Sequence, residues 1–115
     1  MHEYSIVQAL LDLVGAEARK HKATGVRRIR VRVGELSGVE PELLLSAYNL
    51  VREHSVCQGA DLEIHQVGAR WTCPQCATDL PTGQRLQCTA CGGPARLAAG
   101  DEIILEQVEL EVAHV

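Results

Sequence analysis

The chain has 115 residues, 46% of them apolar and 23% charged, which fits one domain of ordinary size or a small domain carrying a smaller metal-stapled one. Five Cys and five His stand against no Phe, one Trp and two Tyr, so an aromatic-rich core is excluded and Val, Leu, Ile and Ala must build it. The net charge of −4 argues against a general nucleic-acid binder, whose affinity comes from neutralising phosphates, and no apolar run is long enough to span a membrane.

In chain order, Ile6, Val7, Leu10, Leu11, Val14 and Ala18 form one apolar stripe at helical spacing. Ser5 and Gln8 have the spacing of a capping box, and Gly25, after the basic Arg19–Lys22 stretch, reads as the stop. Ile29, Val31 and Val33 then alternate with Arg28, Arg30 and Arg32, the period of a strand, which Gly34 ends. Pro41 suits the first position of a second helix, whose expected apolar stripe is Leu43, Leu44, Ala47, Leu50 and Val51. After Gly59, Leu62 and Ile64 alternate with Glu63 and His65 as a second strand.

Composition shifts at Gly68. From there to Gly100 lie all the paired cysteines and few large apolar residues, a segment that could not bury enough surface to fold alone. Strand chemistry returns at Ile103–Val112, where Glu106 and Gln107 break the alternation and suggest a bulge. The expected architecture is α+β: a small three-stranded sheet with two helices over residues 1–67 and 101–115, and an inserted zinc-ribbon-like domain over 68–100. Gly68 and Gly100 flank the insert and are expected to act as hinges.

Seven of the eleven basic residues lie between Arg19 and Arg32. One reading is a surface for an acidic partner. The other, preferred here, is pairing within the sheet, with Arg28, Arg30 and Arg32 emerging beside Glu63, Glu109 and Glu111.

Cys73-Pro-Gln-Cys76 and Cys88-Thr-Ala-Cys91 are two CxxC pairs with eleven residues between them. The N-terminus lacks the basic and apolar regions of a signal peptide, which makes a reducing, cytoplasmic setting the expectation and metal ligation the better reading than disulfides. Two tight turns offering two thiolates each supply the closed tetrahedral shell of a structural Zn(II) site. Iron in a rubredoxin-like site also suits four thiolates, and redox dithiols are a further alternative, although their usual βαβ setting is lacking. Cys57 reads as a small buried hydrophobe.

At the N-terminus, His2 and Glu3 sit beside an amine. The His2 imidazole with its own amide nitrogen closes a six-membered chelate ring, and the His2 and Glu3 amides a five-membered one. Such a nitrogen set favours square-planar Ni(II) or Cu(II), with the Met1 amine or another side chain as fourth donor. By spacing alone, an ordinary solvated His2 is the preferred reading.

Met1-His2-Glu3-Tyr4-Ser5 opening an amphipathic helix, the run Val33-Gly34-Glu35-Leu36-Ser37-Gly38-Val39-Glu40-Pro41, the Leu43-Leu44 helix, both CxxC pairs and the glutamate-rich last strand together resemble the HypA/HybF family of hydrogenase nickel-incorporation metallochaperones. The resemblance covers essentially the whole chain. It implies a protein, not an enzyme, that binds Ni(II) transiently at its N-terminus and supplies it to the [NiFe]-hydrogenase large subunit with a nickel-handling GTPase; some members also serve urease maturation. It implies His2 as the key nickel ligand with Glu3 and Met1 in the same site, Glu40 as a supporting group, and Cys73, Cys76, Cys88 and Cys91 as zinc ligands. Neither nucleic acid nor membrane is an implied partner, and the protein is a monomer or homodimer. Some relatives add a nickel-binding histidine from the zinc segment, but no His lies between Cys73 and Cys91. His21, His54, His65 and His114 are left without a role. The competing reading is a zinc-ribbon interaction or nucleic-acid module without nickel delivery.

Overall fold

A computed structural model describes residues 2–80 and 86–113. The elements run α1 (His2–Lys20), β1 (Ala23–Gly34), α2 (Pro41–Val51), a single 3-10 turn (Arg52–His54), β2 (Asp61–Val67), β3 (Arg70–Cys73), β4 (Thr78–Asp79), β5 (Arg96–Ala99) and β6 (Ile103–Val112). They form two three-stranded sheets, β2-β1-β6 and β4-β3-β5. In the larger sheet β1 is central, parallel to β2 and antiparallel to β6. The architecture is α+β, as expected, but the four-cysteine segment carries a second sheet of three short strands where the sequence pattern showed none.

The core lies between the larger sheet and its two helices. Val7, Leu10, Leu11 and Val14 of α1 pack on Ile29, Val31 and Val33 of β1 and on Leu44, Ala47 and Tyr48 of α2, all buried. Burial of this aliphatic set is the main stabilising term, at about 25 cal/mol per Å² removed from water. Tyr48 is the one aromatic within it. Its hydroxyl donates to the Ala60 carbonyl at 2.7 Å, and Arg52 Nη1 donates to the same oxygen at 2.6 Å while its guanidinium lies 5.6 Å from the ring centre. Burial pushes the Tyr48 phenol well above its usual range, so it stays a neutral donor. Cys57 is fully buried, as expected of a small hydrophobe.

Several expectations need correction. The first helix starts at His2, a turn before the capping-box position, so Ser5 is helical; Glu3 in the first turn complements the positive end of the helix instead. The chain reverses at His21–Lys22, with Lys22 at φ 54°, and Gly25 is a strand residue opposite Glu111, not a helix stop. In α2 the buried face is Leu44, Ala47 and Tyr48, with half-buried Val51 packed against it, whereas Leu43 and Leu50 are 53% and 63% exposed. A face at i, i+3, i+4 and i+7 is as wide as one contact surface allows, so the two flanking leucines turn outward.

The outer face of the larger sheet carries the charges. Arg28 pairs with Glu109 (2.8 Å) and Glu63 (3.4 Å), and Arg30 with Glu63 (2.9 Å). Glu111 lies nearest Arg27, at 3.9 Å. The bulge suggested near Glu106 is present: the partner of Arg30 is Gln107 and that of Val31 is Leu105. The extra residue, Glu106, therefore reaches Arg32 (3.0 Å) and His65 (3.2 Å). Arg32 and Arg28 hold the Glu106 and Glu109 carboxyls below the usual range. Their contribution to stability is thus present above that range and lost as pH falls through the lowered values.

At the Gly34 end of β1, three backbone segments meet. Gly34 N–H donates to Glu102 O (2.9 Å), Glu35 N–H to Val67 O (2.8 Å) and Leu36 N–H to Gly100 O (2.6 Å). The Glu35 carboxylate accepts the Ala69 N–H at 3.1 Å. A methyl group on Gly34 would run into the Gly100 backbone, and one on Gly100, itself at φ +107°, into Ala69. Gly100 is therefore a packed crossing point with no room for a side chain. Gly34→Ala should lower stability by at least about 2 kcal/mol through overpacking. Gly38→Ala, at φ +80° but facing open space, should cost only about 1 kcal/mol. Urea unfolding of the two variants checks the order.

Candidate metal centre

The four paired cysteines reach one point from two similar turns. In the first, Ala77 N–H donates to Cys73 O at 2.8 Å, Cys76 N–H points at Cys73 Sγ at 3.4 Å, and Ala77 takes φ 56°. In the second, Gly92 N–H donates to Cys88 O at 2.8 Å, Gly93 N–H points at Cys91 Sγ at 3.4 Å, and Gly92 takes φ 73°. Each turn thus needs a left-handed residue directly after its second cysteine. Gly92 meets this freely, whereas Ala77 carries a Cβ there. The strands tie the turns together: Cys73 ends β3 and faces Thr78 of β4, and Gln87 bridges Pro94 beside the second turn.

The four Sγ atoms lie within 4.8 Å of one another. Across the turns, Cys73 Sγ and Cys91 Sγ are 3.5 Å apart and Cys76 Sγ and Cys88 Sγ 3.9 Å. These separations exceed the roughly 2.05 Å of a disulfide, and all four cysteines are free. They match the roughly 3.8 Å edge of a sulfur tetrahedron around a metal bonded at about 2.3 Å. The cluster therefore fits a single ion with a filled shell rather than two separate dithiols. Cys73 and Cys88 are buried and Cys91 is exposed, so one side of the cluster meets solvent.

Without a cation the thiols compete. Hydrogen bonds from the Cys91 and Ala90 backbone bring Cys88 down to about 7, while the neighbouring sulfurs, Cys91 first, push Cys76 up to about 12. A divalent ion removes the conflict by stabilising every thiolate at once.

The residues expected to hold nickel belong to another part of the chain, the start of α1. Glu3 is half-buried in the first turn of α1. Met1 and the His2 side chain lie outside what the structure describes, as do His114 and the connection at Pro81 and Gly83. Because the chain reverses at His21–Lys22, the start of α1 and the end of β1 point to the same end of the larger sheet. That end also carries a cleft of about 280 Å³ lined by Glu35, Glu40, Pro41, Gln66 and Gly68. His21 pairs with Glu17 at 3.4 Å where α1 ends, and His65 with Glu106 at 3.2 Å between β2 and β6. Sequence reading missed Glu35 as the residue that holds the start of the cysteine segment; a carboxylate between Gly34 and Leu36 gave no periodic signal.

A family model described as hydrogenase/urease nickel incorporation, metallochaperone, HypA, matches residues 1–110. The hydrogenase maturation factor HypA of Wolinella succinogenes is 40% identical over 114 residues, spanning 96% of both chains. That of Aquifex aeolicus is 36% identical over 114 residues, 97% of this chain and 99% of its own. Among solved structures, one described as the solution structure of HypA protein is similar at a TM-score of 0.81 and 30% identity, over 98% of each chain. The solution structure of the Ni metallochaperone HypA from Helicobacter pylori follows at 0.73 and 29%, over 96% of this chain and 98% of that one.

Two outcomes test the four-cysteine cluster. Ala77→Gly should raise the stability of the metal-loaded protein by about 1 kcal/mol, since it relieves a left-handed Cβ. Metal affinity should fall as pH falls, because protons compete for thiolates. The emission of Trp71, the only tryptophan and two residues before Cys73, reports both.

Proposed function

The chain belongs to the HypA family of nickel-incorporation metallochaperones, and on that premise we propose that it carries Ni(II) at its N-terminus and delivers it to the [NiFe]-hydrogenase large subunit. Delivery runs with a nickel-handling GTPase, in the cytoplasm, and by a transfer of metal rather than by catalysis. Among the described residues no helix is long and apolar enough to cross a membrane, which is consistent with that setting.

The observation that carries this reading is the family match from residue 1 onward, over a chain whose cysteine cluster closes on itself. A filled sulfur shell offers no open position for cargo and releases metal poorly. Nickel must therefore be held by other donors. His2, Glu3 and the Met1 amine supply them at the start of α1, where a delivery site needs to be open to a partner. Glu40, at the N-cap of α2 and in the cleft at the same end, supports the site electrostatically. Nickel ranks below copper in intrinsic affinity, so selectivity rests on the square-planar nitrogen geometry and on the partner.

Zn(II) is the ion assigned to the four cysteines, in a structural role. Residues 68–100 then form a zinc domain inserted between the two parts of the nickel domain, residues 1–67 and 101–115. The zinc domain orders its own sparse core and offers a docking face, a common use of a metal in place of apolar area. The protein acts as a monomer or homodimer.

Nickel titration of untagged protein should give about one Ni(II) per chain. His2→Ala should abolish that binding, and so should residues added before Met1, while zinc content stays at one ion per chain. Nickel affinity equal to wild type in both variants would remove the N-terminal assignment. A visible thiolate-to-iron band in the purified protein would replace zinc with iron.

A further inference from the structure

The basic run between Arg19 and Arg32 divides in the structure. Arg27, Arg28, Arg30 and Arg32 meet carboxylates on the sheet. Arg19, Lys20 and Lys22 meet none among the described residues, although the chain carries an excess of acids. These three cations surround the C-terminal end of α1. The helix dipole favours positive charge there, which explains their tolerance without a carboxylate partner among the described residues.

Beside them runs a groove of about 580 Å³ between α1 and the end of α2. Leu11, Ala18 and Val51 supply its apolar walls, and Gly15 opens it, since a Cβ there would touch the Arg19 guanidinium at 3.4 Å. Val56, 38% exposed, lies on the rim, and Leu50 next to Val51 is 63% exposed. Arg19 and Lys22 line the groove with His54, against the single acid Asp12. Apolar walls with a cationic rim fit a ligand that is apolar on one side and anionic at its edges.

We propose that this groove docks an acidic amphipathic peptide segment of a partner protein. The site is separate from nickel loading. It runs along α1 from Gln8 onward, and its cationic end at Arg19 lies about 25 Å along the helix from His2. Arg19 and Lys22 steer and orient the acidic edges, and the Leu11–Val51 walls take the apolar side chains. The order of events is free: the groove can be filled whether or not metal is bound.

The probe is a synthetic twelve-residue peptide alternating pairs of Leu and Glu at helical spacing, with a Lys-for-Glu copy as control. It is titrated into the 15N-labelled full chain and followed by amide shifts. The expected result is saturable shifts at Gly15, Arg19, Lys22, Val51 and Val56 with the Glu peptide, and affinity at least about tenfold weaker for the Lys peptide. Arg19→Glu with Lys22→Glu should reverse the preference, with an unchanged amide spectrum elsewhere and wild-type nickel stoichiometry. The proposal is overturned if the Glu peptide shifts nothing in the groove, or if both peptides bind equally. It is also overturned if the double variant leaves the preference intact. Concentration-dependent dimerisation that broadens the same resonances without peptide would assign the groove to a second copy of this chain instead. Loss of nickel binding in His2→Ala, or its absence, bears only on the N-terminal reading and leaves this result untouched.

Discussion

Three backbone segments cross at the Gly34 end of the larger sheet with no room for a side chain between them, and most of the architecture depends on that crossing. Gly34 and Gly100 face each other, and Ala69 closes on Gly100 from the other side. The exit from β2 and the return into β6 are thereby brought side by side. The cysteine segment can be inserted there without disturbing the β2-β1-β6 register, because its two ends leave from adjacent points. Hydrogen bonds from Gly34, Glu35 and Leu36 pin all three segments, and the Glu35 carboxylate accepts the Ala69 N–H beside them.

Two kinds of stabilisation meet at this crossing. The larger unit is held by aliphatic burial around β1, with Tyr48 and Arg52 anchoring the chain at Ala60. The smaller unit has short strands, of which β4 has only two residues, and its buried side chains are chiefly ligands. Four sulfurs within 4.8 Å of one another stand there in place of apolar area, and the proposed ion would stabilise their thiolates together. The proposed division between a closed sulfur cage and an open nitrogen site follows from the same chemistry: an ion that orders a fold should not leave, and one that is cargo must.

Much of this was legible residue by residue. The α1 stripe, the alternation in β1, Pro41 at the start of α2 and the break at Glu106 each reflect a local rule: period, fixed φ, or an extra residue in a ladder. The cysteine cluster was legible because two CxxC turns impose their own geometry. What misled was equally local. Ser5 has a cap's spacing but lies within a helix that begins earlier, and Gly25 has a terminator's identity but is held in a strand opposite Glu111. Leu43 and Leu50 count as core on hydrophobicity alone, yet they flank a face already filled by Leu44, Ala47 and Tyr48.

The sequence by itself determined the helices and strands of the larger sheet, the aliphatic core of β1 and α1, the four-sulfur cluster and the family, because these rest on spacing along the chain and on side-chain chemistry. Only the tertiary structure decided which charges are neutralised and which glycines are indispensable. Arg32 finds Glu106 through a bulge, while Arg19, Lys20 and Lys22 from the same basic run find no carboxylate among the described residues. Gly34 and Gly100 are required by each other, 66 positions apart in the chain. Both outcomes depend on which backbones pass within a few ångströms of one another, and no local pattern encodes that distance. The opening tally of five Cys and five His accordingly separates into four sulfurs that share one point, one buried thiol, and, among the described side chains, His21 and His65 paired with Glu17 and Glu106.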